Sequence, residues 1–202
     1  MLKPLYLASQ SPRRLELLRQ IGLAPAVLYL RNGHGRLDVD ETPLANEPAV
    51  DYVLRLARLK AEAGELARHR RNLAAWPIVA ADTAVTLDGR ILGKPVDAAA
   101  AAAMLRDYAG RSHSVLTAVA VAFQGRLEVA LSESTVAFRA LSEAEIAAYV
   151  ASREPFDKAG GYGIQGRASL FIEHLSGSYS GVMGLPLFET AQLLREVGFS
   201  VL

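Results

Sequence analysis

Cysteine is absent from the 202 residues, which excludes disulfides, thiolate nucleophiles and the common zinc-finger spacings and leaves any catalysis to oxygen and nitrogen groups. Neither sign of charge dominates. Twenty-two basic residues face twenty-one acidic ones for a formal charge of +1, with no polybasic tract or acidic tail to engage a nucleic-acid backbone or lipid headgroups. Any polyanion gripped by this chain is therefore small, and neither a nucleic-acid polymer nor a membrane is expected as a partner. No uncharged stretch is long enough to span a bilayer, and Leu5-Tyr6-Leu7-Ala8 is too short for the apolar region of a signal peptide, so the cytoplasm is the expected compartment. Lysine is scarce as well: only Lys3, Lys60, Lys94 and Lys158 stand beside eighteen arginines. With 51% hydrophobic and 21% charged residues, the chain can bury one substantial core, over residues 1–202 as a single domain or two closely joined lobes.

Strand and helix signals alternate along the chain. A strand from Leu5 to Ala8 runs into Ser11-Pro12, an N-cap followed by proline at the first helical position. Leu15, Leu18 and Ile21 supply the buried stripe of the helix, and Gly22 closes it. A strand is expected at Val27 to Leu30, then a mobile loop from Arg31 to Asp40. Asp51, Arg55, Arg58, Glu62, Glu65 and His69 recur at helical spacing and mark the solvent face of a helix from Glu47 to about Arg71. Pro77 to Leu87 reads as a buried strand, Asp88-Gly89 as a tight turn, and Ile91-Leu92 as the return. Asp97 caps a helix containing six consecutive alanines, the best helix-forming residue. Strands at Ser112 to Phe123 and Leu127 to Phe138 are joined through Gln124-Gly125-Arg126. Ser142 and Glu145 form a capping box, Leu170 to Ile172 reads as a strand, and a last helix runs from Pro186 to Gly198. The class is α/β around one mixed sheet.

Four groups contradict their local surroundings, as functional positions tend to do. Arg13-Arg14 places two cations in the first turn of a helix, where the macrodipole is already positive. With the hydroxyls of Ser9 and Ser11 and the free amides of the turn, they suit a phosphate, unless both side chains simply reach water. Lys60 falls on the apolar side of its helix, with Val53, Leu56, Ala57 and Ala63. Either its stem reaches the surface or it projects into a cleft holding negative charge. Asp82 interrupts Ile78-Val79-Ala80-Ala81-Asp82-Thr83-Ala84-Val85, where an ionised carboxylate requires a cation, a metal or hydrogen bonds, or else a proton. The alternative is a capping aspartate at a strand end. Twelve residues later Gly93-Lys94-Pro95 offers an ammonium on a stiffened turn, suited to a phosphate oxygen. Finally, Asp157 to Gly166 holds four glycines in seven positions and Gln165, whose carboxamide matches N3–H and O4 of uracil or thymine but is equally an ordinary loop residue. His34, His69, His113 and His174 show no metal-binding spacing, and most are expected at the surface.

Taken together, Leu7-Ala8-Ser9-Gln10-Ser11-Pro12-Arg13-Arg14, Asp40-Glu41-Thr42, Ala81-Asp82-Thr83, Gly93-Lys94-Pro95, Gly110-Arg111-Ser112-His113, Asp157 to Gly166 and Gly184-Leu185-Pro186 resemble, in order and over almost the whole chain, the Maf family of nucleotide pyrophosphatases. The resemblance implies a fold like that of the inosine triphosphate pyrophosphatases: an elongated mixed sheet flanked by helices, in two lobes around a deep cleft. It implies cleavage of nucleoside triphosphates between the α and β phosphates, in the branch preferring dTTP and UTP over 7-methyl-GTP, and a homodimer. It implies Asp82 as proton acceptor, with Arg13, Thr83 and Gln165 setting substrate preference. Ser9, Arg14, Glu41, Lys60, Lys94 and Lys158 match further polar positions of the family's cleft. The segment Arg31 to Asp40 is longer and richer in glycine than the family's usual approach to Asp-Glu-Thr.

A triphosphate needs fixed cations more than covalent chemistry, and Arg13, Arg14, Lys60 and Lys94 can supply them. Magnesium or manganese requires only one or two protein carboxylates when phosphates provide the other ligands, which points to Glu41 and Asp82. Two rival readings are a nucleotide-sensing regulator of cell division, suggested by the family's association with septum formation, and a pyrophosphatase for modified nucleotides.

Overall fold

The computed structural model describes residues 3–31 and 38–201. Among these, seven strands form one mixed sheet in the order β2-β1-β3-β5-β6-β7, with β4 paired to β3. The strands are β1 (Lys3–Leu7), β2 (Leu23–Val27), β3 (Ile78–Leu87), β4 (Arg90–Leu92), β5 (Ser112–Phe123), β6 (Arg126–Phe138) and β7 (Ile172–Ser176). The helices are α1 (Pro12–Gln20), α2 (Ala49–Arg70), α3 (Ala98–Tyr108), α4 (Glu143–Ala151), α5 (Tyr179–Val182) and α6 (Leu187–Glu196). This is the α/β class expected from the sequence.

The caps act where the sequence places them. Ser11 accepts from the Arg14 amide, Asp97 from the Ala100 amide, and Ser142 and Glu145 close a complete capping box. Asp88 and Gly89 both have positive φ, 51° and 76°, which matches the turn to the right-handed twist of the flanking strands. Three expectations are corrected. The second strand is Leu23–Val27 rather than Val27 to Leu30; Pro25 interrupts its strand signal, but β2 lies at the sheet edge, where a missing donor is tolerated. The β5–β6 turn is the pair Gln124-Gly125 alone, because Arg126 already pairs with Phe123. Arg167–Leu170 is a 3-10 turn and the strand begins at Ile172. Of the Arg31 to Asp40 loop, residues 32–37, with His34, lie outside the described residues.

β3 is the spine of the sheet, and its two edges differ. Along one edge it pairs with β5 from Ile78 to Thr86. Along the other, β1 reaches only Ile78 and Val79, and β4 begins only at Val85. Between them, residues 80–84 have no strand partner on that edge, and a cleft opens there. Helix α2 packs over one face: Val53, Ala57 and Ala61 share a core with Ala80, Ala84 and Ala118. A Cβ on Gly64 would lie 2.9 Å from Ile78 Cγ2, so glycine allows this close approach. On the opposite face, Leu17, Leu18, Leu185, Leu193 and Leu194 pack on Val79, Ala81 and Val119.

Candidate active site

The cleft has a volume of about 900 Å³. Strand alternation sends Asp82 to the α2 face and Thr83 to the other, and the gap in strand pairing brings both to the cleft. Ser9, Arg13, Arg14, Glu41, Lys60 and Lys94 line it with them, as do Lys158 and Gln165. Every residue singled out in the sequence for the site therefore borders one cavity.

On the α2 face, the Lys60 ammonium donates to Asp82 Oδ1 at 2.7 Å and lies 2.9 Å from Glu41 Oε1. The Lys60 and Asp82 side chains are only 13% and 11% exposed, while Glu41 is 54% exposed. Of the two readings of Lys60, the structure shows the one in which it projects into a cleft and meets negative charge there, at Asp82 and Glu41. Burial raises the Asp82 carboxyl above its ordinary value; Lys60 and Arg14 oppose this and Glu41 adds to it. The Glu41 segment is strapped to α2 by Tyr52, which the sequence did not single out, and by Arg55, which the sequence placed on the solvent face. Tyr52 donates its hydroxyl to Glu41 O at 3.1 Å, and Arg55 donates to Thr42 O at 3.2 Å while pairing with Glu47. Their spacing of three on one helix face was the available signal.

On the other face, the adjacent arginines diverge. Arg13 points toward the glycine-rich segment, with Nη1 3.5 Å from Asp157 Oδ2. Arg14 turns into the fold: Nε donates to Gly184 O and Nη1 to Ala81 O, both at 2.7 Å, and further bonds reach Ser9 Oγ (3.2 Å) and Thr83 Oγ1 (3.3 Å). The Ala81 carbonyl lies on the β3 edge that lacks a strand partner, so a side chain replaces the missing ladder bond. Burial lowers the Arg14 pKa, with Asp82 opposing. Thr83 Oγ1 lies 3.0 Å from Thr117 Oγ1, which donates to Gly181 O at 2.8 Å. Thr117 is buried and was not recognised in the sequence.

The glycine-rich segment forms the far wall. Lys158 donates to Glu154 O at 2.7 Å and pairs with Asp157. Lys94, exposed on the turn after β4, makes no hydrogen bond or ion pair among the described residues. The same holds for Gln165, leaving its carboxamide open to the cleft. Behind this wall, Tyr108 donates to Gly160 O at 3.0 Å, and His113 Nε2 lies 2.7 Å from Tyr162 Oη. His69 and His174 are exposed, as expected of most of the histidines, whereas His113 is buried in an aromatic cluster, and burial pushes its pKa down to about 4.

No group of three or more histidine, aspartate and glutamate side chains that could hold an ion is found among the described residues. Glu41 and Asp82, converging on one ammonium, instead fit a divalent cation whose remaining ligands come from phosphate and water. No helix among the described residues is long and apolar enough to cross a membrane.

A family model described as Maf-like protein matches residues 4–197. A dTTP/UTP pyrophosphatase of Nitrosomonas europaea is 54% identical over 198 residues, covering 98% of this chain and 96% of that protein. A dTTP/UTP pyrophosphatase of Aromatoleum aromaticum is 56% identical over 197 residues, 96% of each. A nucleoside triphosphate pyrophosphatase of Haemophilus ducreyi is 51% identical over 200 residues, covering 99% of this chain and 98% of that protein.

Proposed function

The chain belongs to the Maf-like proteins, and on that premise we propose that it is a nucleoside triphosphate pyrophosphatase acting on dTTP and UTP, with release of the monophosphate and pyrophosphate. The observation that carries this reading is the convergence in one cleft of Asp82, the cations Arg13, Lys60, Lys94 and Lys158, and an unengaged carboxamide at Gln165. Relatives named dTTP/UTP pyrophosphatase, similar over nearly the whole chain, support the substrate.

In this reading Asp82 accepts a proton from the attacking water as the α–β phosphoanhydride breaks and pyrophosphate takes up the negative charge. Its raised pKa suits a base, and Lys60 keeps the carboxylate compensated in a site that excludes much of the solvent. Arg13, Lys94 and Lys158 hold the phosphates. Arg14 and Ser9 shape the turn beneath them, and Thr83, tied to Arg14 and Thr117, orients ligand or solvent. Glu41 and Asp82 hold magnesium or manganese, which when bound neutralises phosphate charge and polarises the scissile group. Gln165 pairs with N3–H and O4 of the pyrimidine. The family resemblance further implies a homodimer of two-lobed subunits, and the expected compartment is the cytoplasm.

A panel of UTP, dTTP, CTP, ATP, GTP and 7-methyl-GTP, incubated with magnesium or manganese and resolved by chromatography, tests the proposal. Monophosphate and pyrophosphate should form fastest from UTP and dTTP. Equal rates on ATP and UTP remove the pyrimidine assignment, while nucleotide binding without any monophosphate favours the sensing regulator.

A further inference from the structure

Glu154 precedes the glycine-rich segment and borders the cleft, and its carboxylate packs against the turn that carries Gln165. Oε2 accepts from the Arg167 amide at 3.1 Å, and Oε1 accepts from the Tyr149 hydroxyl at 3.2 Å. That hydroxyl in turn accepts from the Gly163 amide at 3.3 Å. Gly166 N–H donates to Gly163 O at 3.0 Å and closes the turn. One carboxylate is thus tied to residues on both sides of Gln165, directly at 167 and through a tyrosine at 163.

Gly166 has φ −99° and ψ −156°, extended values open to any residue. Its lack of a side chain has another cause. A Cβ there would lie well inside van der Waals contact of Glu154 Oε1 and Cδ, and 2.8 Å from Oε2. Glycine at 166 makes room for the carboxylate.

We infer that Glu154 is a positioning residue for Gln165 and that Gly166 is glycine in order to admit its carboxylate, so that the two together set the preference for a pyrimidine base. The inference rests on the reading of Gln165 as the base-contacting residue. Loss of the carboxylate frees two anchor points of the turn, and a carboxamide that must be ordered at the moment of binding recognises its base less well.

The test uses the full chain with UTP and ATP as probes. Glu154→Ala, Glu154→Gln, Gly166→Ala and the double variant Glu154→Ala/Gly166→Ala are compared with wild type for kcat and KM, with circular dichroism to confirm folding. Glu154→Ala and Gly166→Ala should each raise KM for UTP about tenfold and narrow the UTP-over-ATP ratio, with kcat on UTP changed much less. Glu154→Gln, which keeps an acceptor oxygen, should recover part of the loss. Because Gly166→Ala acts by displacing the carboxylate, the double variant should be no worse than either single one. If Glu154→Ala fails to fold, Glu154→Gln and Gly166→Ala carry the comparison. Wild-type preference retained in Glu154→Ala and Gly166→Ala, effects that multiply in the double variant, or a fall in kcat at constant KM overturns the inference alone. Wild-type enzyme without a preference for UTP removes the reading of Gln165, and the inference with it.

Discussion

Lys60 Nζ lies 2.7 Å from Asp82 Oδ1, joining a helix and the central strand through two side chains almost withdrawn from solvent. Each makes the other tolerable: the lysine occupies the apolar side of α2, and the aspartate interrupts a strand of alanine and valine.

Removing the ammonium exposes this dependence. In Lys60→Met the Asp82 carboxylate loses its main source of compensation, so its pKa rises further. The acidic limb of the kcat/KM profile for UTP should move up by about one pH unit or more. The variant should lose about 3 kcal/mol of stability above that pKa, and the loss should shrink as acid protonates Asp82. Denaturant titrations at pH 5 and 8 check this.

Asp82→Asn should lower kcat at least about 100-fold while leaving the fold intact. The folded-state pKa of Asp82 lies above its unfolded value, so its stabilising contribution is complete below the unfolded pKa and is lost as pH rises through the folded one. The asparagine variant should therefore gain stability relative to wild type on going from acid to neutral pH, read by thermal melts across that range. Hydrolysis at the wild-type rate would reject Asp82 as the base.

The adjacent arginines should separate cleanly. Arg14→Ala strips donors from the Ala81 and Gly184 carbonyls and should destabilise the protein by about 3 kcal/mol, with lysine an incomplete substitute because it lacks the planar fork. Arg13→Ala breaks only a partly exposed pair with Asp157 and should change stability by under about 1 kcal/mol. Its effect should appear in KM for UTP, raised about tenfold. Equal stability losses would contradict the different surroundings of the two side chains.

His113 gives the acid side of the stability profile a specific component. Its pKa is pushed down to about 4 from an ordinary 6.5, so the unfolded chain binds the extra proton first as pH falls. Stability contributed by the neutral ring is full above 6.5 and declines progressively toward 4, by up to about 3 kcal/mol. His113→Gln, which keeps a polar partner for Tyr162, should flatten the melting temperature between those pH values relative to wild type.

Much of the fold was legible because its signals are local. Ser11-Pro12, Asp97, Ser142 with Glu145, and Asp88-Gly89 each act within a few residues of themselves. The second strand was misplaced for the opposite reason: the acceptability of Pro25 in β2 depends on which strand lies at the sheet edge. Glu154 gave no sign in the sequence, because its partners at 149, 166 and 167 meet only when the segment folds back on itself.

From residue order alone came the α/β class, the helix caps and the Asp88-Gly89 turn, and the charged groups at odds with their surroundings, since periodicity, capping and local charge depend on near neighbours. Tertiary structure alone decided that Arg14 turns inward while Arg13 faces the cleft, that His113 is buried, and that Lys60 lies against Asp82. Those outcomes depend on distances between side chains far apart in the chain, set by where β1 ends and β4 begins along β3.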